Sequence, residues 1–443
     1  MDTIYALASA AGRAGVAVIR ISGPAAGTAV RRLTGDRPLP EPRRAVLRRF
    51  TNPDGSTELD RGLLLWFPGP QSFTGEDVAE LHLHAGRAVL HAVVEALAQC
   101  EGLRPAEPGE FTRRAFENGK LDLTAAEGLA DLVNAETEAQ RRQALRQLDG
   151  ELGQLYEDWR RRLVAALARL EAHIDFPDEE LPTDLVVRTR AEVSRLLPEI
   201  AAHLDDNRRG ERVRDGLAVA LLGAPNVGKS SVINTLAGRE AAIVSALAGT
   251  TRDVIEVHLD LAGYPVTIAD TAGLRQAQDE IESEGVRRAL ARAEASDIKI
   301  LLFDATRYPN VDPQTIRLAD QNAIIAINKC DLAPLGPAVL VNGCPALAIS
   351  AKTGAGMDAL LSRLTAAAVE SIGVATAPAL TRARHRHALA EGREALARSL
   401  TASAPELLAE DLRLAVRAIG RITGRVDVED ILDVIFREFC IGK

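Results

Sequence analysis

The spacing of apolar positions changes character three times along the chain, and those changes divide it. Over residues 1–118, short apolar runs are punctuated by glycine and proline. Residues 16–21 predict a strand running into the turn Ser22-Gly23-Pro24. Residues 63–67 predict a second, ended by Pro68-Gly69-Pro70, and residues 78–84 a third with strict alternation. Residues 87–99 have helical spacing. Strands and helices in irregular order predict an α+β domain. Over 119–210 the texture becomes long amphipathic helix. Leu145, Leu148, Leu152, Leu155, Trp159, Leu163, Leu167, Leu170 and Ile174 form one apolar stripe at every third or fourth residue. Phe176-Pro177 to Leu181-Pro182 stops it, and a second helical run follows to about residue 207. This is bundle material, its stripe reading as core or partner-helix surface.

From 211 to 375 apolar strand runs alternate with helical stretches, the pattern of a doubly wound α/β domain. Helical periodicity returns over 376–443. Leu407, Leu408, Leu412, Leu414 and Ile419 precede Val428, Ile431, Leu432, Ile435, Phe436 and Phe439, before the tail Cys440-Ile441-Gly442-Lys443. The simplest architecture is an N-terminal α+β domain and a helical domain split by an inserted α/β domain, which is physically easy where the insert's ends lie close.

Composition narrows the picture modestly. A chain of 443 residues is long enough for several cores. Its net charge of −9 argues against a large uniform basic surface for nucleic acid, while leaving room for a local patch. Cys100, Cys330, Cys344 and Cys440 have no metal-like spacing, so a reduced, cytoplasmic setting is expected. The acidic start Met1-Asp2-Thr3-Ile4 predicts no secretory leader, and no apolar run reaches membrane-spanning length. Lysine occupies only six positions, arginine the other 47 of 53 basic ones. A lysine that persists against that bias marks a task unsuited to a planar guanidinium. Lys229, Lys329 and Lys352 fall in nucleotide motifs, Lys120 and Lys443 become suspects by the same logic, and Lys299 reads as chance.

The chemistry centres on Gly223-Ala224-Pro225-Asn226-Val227-Gly228-Lys229-Ser230, a full phosphate-loop pattern. The apolar run 217–222 before it predicts a buried strand, and Ser231 opens a helical run. Glycines let backbone N–H groups wrap a phosphate at a helix N-terminus. Lys229 would reach the β- and γ-phosphates and Ser230 would hold Mg²⁺. Further motifs follow in order, each at a predicted strand end. Gly249-Thr250-Thr251-Arg252-Asp253 supplies Thr251 to Mg²⁺. Asp270-Thr271-Ala272-Gly273 supplies a carboxylate to the Mg²⁺ shell and an N–H to sense the γ-phosphate. Asn328-Lys329-Cys330-Asp331 offers a carboxylate for guanine N1 and N2, which adenine does not match. Ser350-Ala351-Lys352 completes the base pocket. Together they predict a GTPase with a Ras-like domain.

Two details set its mechanism apart. Leu274 stands where signalling GTPases carry a water-orienting glutamine, leaving Glu280, Glu282 and Glu284 as candidates. Asn226 is placed to coordinate a monovalent cation beside the phosphates, such as potassium, whose charge would replace an arginine finger. In the N-terminal region, residues 12–20, 72–80 and 108–120 mix charges, glycines and aromatics in a way suited to an anionic, ring-bearing ligand, although pattern alone favours ordinary turns. His82 and His84 share a strand face without a third ligand, which favours a structural role.

With these motifs assembled, the chain resembles the MnmE (TrmE) family of tRNA modification GTPases over essentially its whole length. The resemblance rests on residues 12–23, 72–78, 108–116 and 174–180, on the Gly249-Thr-Thr-Arg-Asp253 and Asp270-Thr-Ala-Gly-Leu-Arg275 motifs, and on the terminal Cys-Ile-Gly-Lys. It implies a homodimer joined through N-terminal domains that bind a tetrahydrofolate derivative, 5-formyl- or methylene-tetrahydrofolate. It also implies a potassium-activated G domain and a heterotetramer with the flavoprotein MnmG. Such an assembly installs an aminomethyl or carboxymethylaminomethyl group at C5 of the wobble uridine of certain tRNAs. By position, Arg20, Glu80, Lys120 and Lys443 resemble the folate contacts, and Cys440 a residue needed for modification. The resemblance assigns potassium to Asn226, carbonyls near Ser245 and Leu247, and the loop around Thr250, with Ala246, Ala248 and Gly249 in the same nucleotide-binding segment. Ser230 and Thr251 resemble the Mg²⁺ ligands and Glu282 the water-orienting glutamate. Ala14 stands where the family often has glycine, and Ser245 where it has threonine. Two readings of other classes compete: a GTP-driven ribosome-assembly switch, and a folate-binding protein whose GTPase regulates assembly.

Overall fold

The computed structural model describes residues 2–10, 12–176, 182, 184–239, 241–243, 256–270, 296–336, 338–373, 378–426, 432–433, 435–436, 439 and 442. The chain forms two compact units. One comprises Met1–Ala130, Gln147–Glu192 and Arg398–Lys443, the other Asp131–Arg146 and Val193–Ala397.

The first unit contains a six-stranded sheet. Its strands are β1 (Thr3–Leu7), β2 (Ala17–Ser22), β3 (Val46–Thr51), β4 (Glu58–Phe67), β5 (Val78–Leu83) and β6 (Leu103–Pro105). The order is β3-β4-β5-β2-β1-β6, with only the β1–β6 pair parallel. Alternation drives burial: Ala17, Ile19 and Ile21 of β2 point inward, leaving Val18 and Arg20 half-buried on the other face. Helices Ala26–Leu33 and Arg87–Ala98 cover that inner face, closing a core of Ile19, Ile21, Phe50, Leu64, Leu81, Val93 and Leu97. The predicted strands are present. The polar start of β4 and the short strands β1, β3 and β6 lack a hydrophobic period long enough to read.

The apolar stripe is carried by two helices, Glu138–Leu148 and Glu151–Asp175, because Gly150 adopts a left-handed φ of 87° between them. Leu152, Trp159, Leu163 and Leu170 are buried, which makes the stripe core. Helix Pro405–Thr423 runs alongside, Glu171 pairing with Arg413 and Arg160 lying against Gly420. Its Leu408, Leu412 and Ile419 are buried, whereas Leu407 and Leu414 are exposed at 57% and 42%: five apolar residues overfill a face one stripe wide.

The second unit is built on a seven-stranded sheet. It comprises β7 (Leu217–Leu222), β8 (Glu256–Leu261), β9 (Tyr264–Asp270), β10 (Ile298–Asp304), β11 (Ala323–Asn328), β12 (Val339–Val341) and β13 (Cys344–Ala348). The order is β12-β13-β11-β10-β7-β9-β8, parallel except at the two edge strands. Apolar residues line both faces of the sheet, so its central strands are continuous apolar runs rather than alternating ones. Lys299 within β10 is not idle; its ammonium group donates to Asp320 at 2.6 Å. Short helix Arg209–Asp215 ties the sheet to neighbouring helical segments: Arg212 donates to Asp297 (2.8 Å), which also accepts the Ala218 N–H (3.0 Å). Glu211 accepts from Arg386 (3.1 Å), whose guanidinium also reaches Asp206 (2.6 Å). Among the described residues no helix is long and apolar enough to cross a membrane.

The same corner contains a proton-linked group. Burial above all pushes the His203 imidazole from 6.5 down to about 4; Arg386 and His385 push the same way and Asp206 opposes them. A folded-state pKa below the unfolded one gives stability that is complete above the unfolded value and lost as pH falls through the folded one. Relative to His203→Gln, the wild type should therefore lose up to about 3 kcal/mol between about pH 7 and pH 4. Urea midpoints of both proteins at the two pH values check this, and parallel pH profiles would refute it.

Candidate functional site

The phosphate loop sits where β7 meets helix Lys229–Ala237, at the carboxyl edge of the parallel strands, where open α/β sheets bind ligands. Its glycines are there for space. A Cβ on Gly223 would fall 2.5 Å from the Leu302 carbonyl oxygen, and one on Gly228 2.4 Å from the Asn328 amide nitrogen. Gly228 also has φ 98°, and Asn226 holds a left-handed φ of 64°, which asparagine tolerates better than most residues. Lys229 is buried, its Nζ donating to the carbonyls of Gly223 (2.7 Å) and Ala224 (3.1 Å), so it is aimed into the loop's concave side. Ser230 and Ser231 are exposed at the helix start.

The Asn328-Lys329-Cys330-Asp331 and Ser350-Ala351-Lys352 segments are fastened to that loop. Asn328, 3% exposed, donates through Nδ2 to the Val227 carbonyl (2.9 Å) and accepts at Oδ1 from the Ala351 N–H (3.0 Å). One side chain thus spans two motifs far apart in sequence. Lys329, strained at φ 67°, donates from Nζ to the Asn226 carbonyl (2.7 Å) and to Asp304 (2.7 Å). Ser350, fully buried, donates to Asp331 (2.7 Å) and orients a carboxylate that is otherwise exposed. Lys352 is exposed at the rim.

Asp304 is the residue that sequence reasoning missed. Burial pushes its carboxyl up, but hydrogen bonds from Lys329 and Thr306 outweigh that and hold it below the ordinary value. The signal was present: Asp304 closes an apolar strand run as Asp270 and Asn328 close theirs. Asp270 ends β9, which pairs with β7. Ser245, Ala246, Leu247, Ala248, Gly249, Thr250, Thr251, Thr271, Ala272, Gly273, Leu274, Glu280, Glu282 and Glu284 lie outside the described residues.

In the first unit the three N-terminal stretches converge. Arg20 of β2 stands opposite Glu80 of β5 and donates to its Oε1 through Nε (3.1 Å) and Nη2 (2.9 Å). The guanidinium carbon lies 5.5 Å from the Phe73 ring centroid and 5.7 Å from that of Phe111. Lys120 donates to the Pro70 carbonyl (2.9 Å), and its stem lies near Gly75. The last segment returns to the same region. A Cβ on Gly442 would fall 2.2 Å from the Leu7 carbonyl oxygen, and one on Gly109 2.3 Å from that of Phe436. Because Leu7 and Ala6 pair with Ile19 and Arg20, the tail's Gly442 lies one register step from the Arg20 pair. Lys443 and Cys440 themselves lie outside the described residues. His82 contacts Glu80 (3.4 Å) and His84 contacts Asp60 (2.8 Å), and no cluster of three metal-type ligands occurs among the described residues.

Comparison with known proteins agrees with this geometry. Residues 3–120 match a family model described as GTP-binding protein TrmE N-terminus, and residues 123–440 one described as MnmE helical domain. The chain is 60% identical to the tRNA modification GTPase MnmE of Paramagnetospirillum magneticum, with all of both chains covered. It is 59% identical to the protein of that name from Parvibaculum lavamentivorans and 56% to that of Rhodospirillum rubrum, again over the full length of each.

The Asn328 tie gives a direct expectation. Asn328→Ala leaves the Val227 carbonyl and Ala351 N–H without their partner, so the two loops lose their fixed spacing. Guanine-nucleotide affinity should fall by at least about tenfold, the worth of one to two buried hydrogen bonds. Titration with a fluorescent GDP analogue reads this, and an unchanged Kd would show that the spacing is held by other means.

Proposed function

This chain belongs to the MnmE family of tRNA modification GTPases, and from that membership we propose that it hydrolyses GTP to drive C5 modification of the wobble uridine in certain tRNAs together with the flavoprotein MnmG. The observation that carries the nucleotide half is the Asn328 side chain, which holds the phosphate loop and the Ser350-Ala351-Lys352 loop at one spacing. A guanine nucleotide needs that spacing, with Asp331 accepting from the base and Lys229 meeting the phosphates.

Among the described residues, the phosphate loop suits the ions the reading requires. Gly223 and Gly228 pack against the Leu302 carbonyl and the Asn328 amide with no room for a side chain, and Asn226 is exposed beside them. Ser230 and Thr251 would hold Mg²⁺; Asn226, with carbonyls of Ser245 and Leu247 and the loop at Thr250, would hold K⁺. Bound there, the cations supply positive charge where negative charge develops during phosphoryl transfer. Glu282 would orient the attacking water, since Leu274 has no polar group with which to do so.

The folate half rests on the Arg20–Glu80 pair flanked by Phe73 and Phe111. A guanidinium and a carboxylate beside aromatic rings offer donors, an acceptor and stacking faces to a pterin, and Lys120 and Lys443 would meet the acidic end of a folate. Cys440 would serve modification rather than hydrolysis. We further propose a homodimer joined through the N-terminal domains, a cytoplasmic setting, and domain boundaries at 1–118, 119–210, 211–375 and 376–443.

GTP turnover should be many-fold faster in KCl than in NaCl at matched ionic strength, and Glu282→Ala should abolish turnover while retaining GTP binding. Equal rates in the two salts would remove the potassium assignment. Nucleoside mass spectrometry of tRNA from cells lacking the gene should show loss of C5-modified wobble uridine, restored by the wild type and not by Glu282→Ala. Unchanged wobble uridines would instead favour the ribosome-assembly reading.

A further inference from the structure

Behind the Arg20 pair lies a buried ionic network with no part in the proposed contacts. Its centre is Arg114 on helix Glu110–Glu117, whose side chain is 7% exposed. Nη1 donates to the Asp2 carbonyl (2.9 Å) and to both Glu76 oxygens (3.2 Å each). Nη2 donates to the Asp2 carboxylate (3.0 Å) and to Glu110 (2.9 Å). Glu76, 11% exposed, also accepts from the Ser22 hydroxyl (2.7 Å), which lies 2.7 Å from Thr74 Oγ1. Burial alone would lower the pKa of Arg114, but the surrounding carboxylates raise it above the ordinary value. A buried charge persists only when paired and hydrogen-bonded, so these groups are held in one arrangement.

That arrangement fixes three pieces of chain relative to one another. Ser22 ends β2, two residues beyond Arg20. Glu76 and Thr74 belong to the turn that carries Phe73. Arg114 shares its helix with Phe111. Phe73 and Phe111 are the two rings beside the Arg20 guanidinium. The Asn118 amide adds a bond to the Thr74 carbonyl (2.7 Å), extending the tie towards Lys120.

We propose that Arg114 and Glu76 are positioning residues for the folate site: they set the spacing of Phe73 and Phe111 across Arg20, and so the slot that receives a pterin ring, without touching the ligand. This rests on the folate reading above. Lysine cannot replace Arg114, because a single ammonium does not span Glu76, Asp2 and Glu110 as a planar fork does. Glu110 is the internal control. It binds the far side of the Arg114 guanidinium and also Arg104 (2.6 and 2.8 Å), and has no described bond to Ser22 or to the turn carrying Phe73.

The test is calorimetric titration of the full-length protein with 5-formyltetrahydrofolate, alongside its thermal midpoint and GTP turnover in KCl. Arg114→Lys and Glu76→Gln should raise Kd by about tenfold or more, and the milder Ser22→Ala by a smaller factor. Glu110→Gln should lower the midpoint yet bind as the wild type does. GTP turnover should be unchanged in all four. Wild-type affinity in Arg114→Lys and Ser22→Ala overturns the inference, as does loss of affinity in every variant in proportion to its fall in midpoint. A wild type that binds no folate at all removes the folate reading itself, and this inference with it.

Discussion

A buried polar group must find its partner, and in the nucleotide unit that requirement falls on one amide. Asn328 is sealed from water, so both ends of its side chain have to be satisfied by backbone, and the two backbone groups it reaches belong to loops over a hundred residues apart. Much else follows from where those loops must then lie. Gly228 cannot carry a side chain because the amide occupies that space. Lys329 must take a left-handed backbone so that its stem runs back towards Asn226, and Asp304 is the counter-charge that keeps its head there. The strain at Lys329 sits at the site and is held by the surrounding bonds.

The N-terminal unit solves a similar problem with charge. There, an arginine takes the central place because one planar group can serve several acceptors at once. The network draws in Asp2, Ser22, Glu76 and Glu110, which come from the start of the chain, a strand end, a turn and a helix start. Hydrophobic packing holds the sheet and its helices together, but it is indifferent to small slides. Directional bonds to a buried guanidinium are not, which is why the polar cluster and not the apolar core sets the spacing of the aromatic rings.

How much of this could be read from the sequence varied with the kind of information needed. The phosphate loop, the base motifs and their strands were legible because backbone geometry demands glycine, lysine and asparagine at fixed spacings, and because buried parallel strands leave unbroken apolar runs. Strands β1, β3 and β6 were not, since their partners rather than their own pattern make them strands. The grouping of Arg20, Glu80 and Lys120 was reached only through family resemblance, and the meeting of Gly442 with Leu7 was not foreseen at all; no local period encodes a contact across the sheet or across the chain. Asp304 was overlooked although it ends its strand as the recognised motifs do, because no consensus draws the eye to it. Leu407 and Leu414 belong to the same helical periodicity as Leu408, Leu412 and Ile419 yet stay exposed, because a helix face has room for fewer.

The seat of Gly442 against Leu7 bears on how the protein is made. Strands β1 to β6 and the helices that cover them are all encoded before residue 106, and can pair as soon as they leave the ribosome. The late residues that reach this region, Phe436 beside Phe116 and Gly109, and Gly442 beside Leu7, are translated only after every residue of the nucleotide unit. Phe116, Gly109 and the end of β1 must therefore wait without these partners while the nucleotide unit is synthesised. The order of synthesis gives the nucleotide unit all of its residues first and leaves the N-terminal unit to be completed by the last residues of the chain.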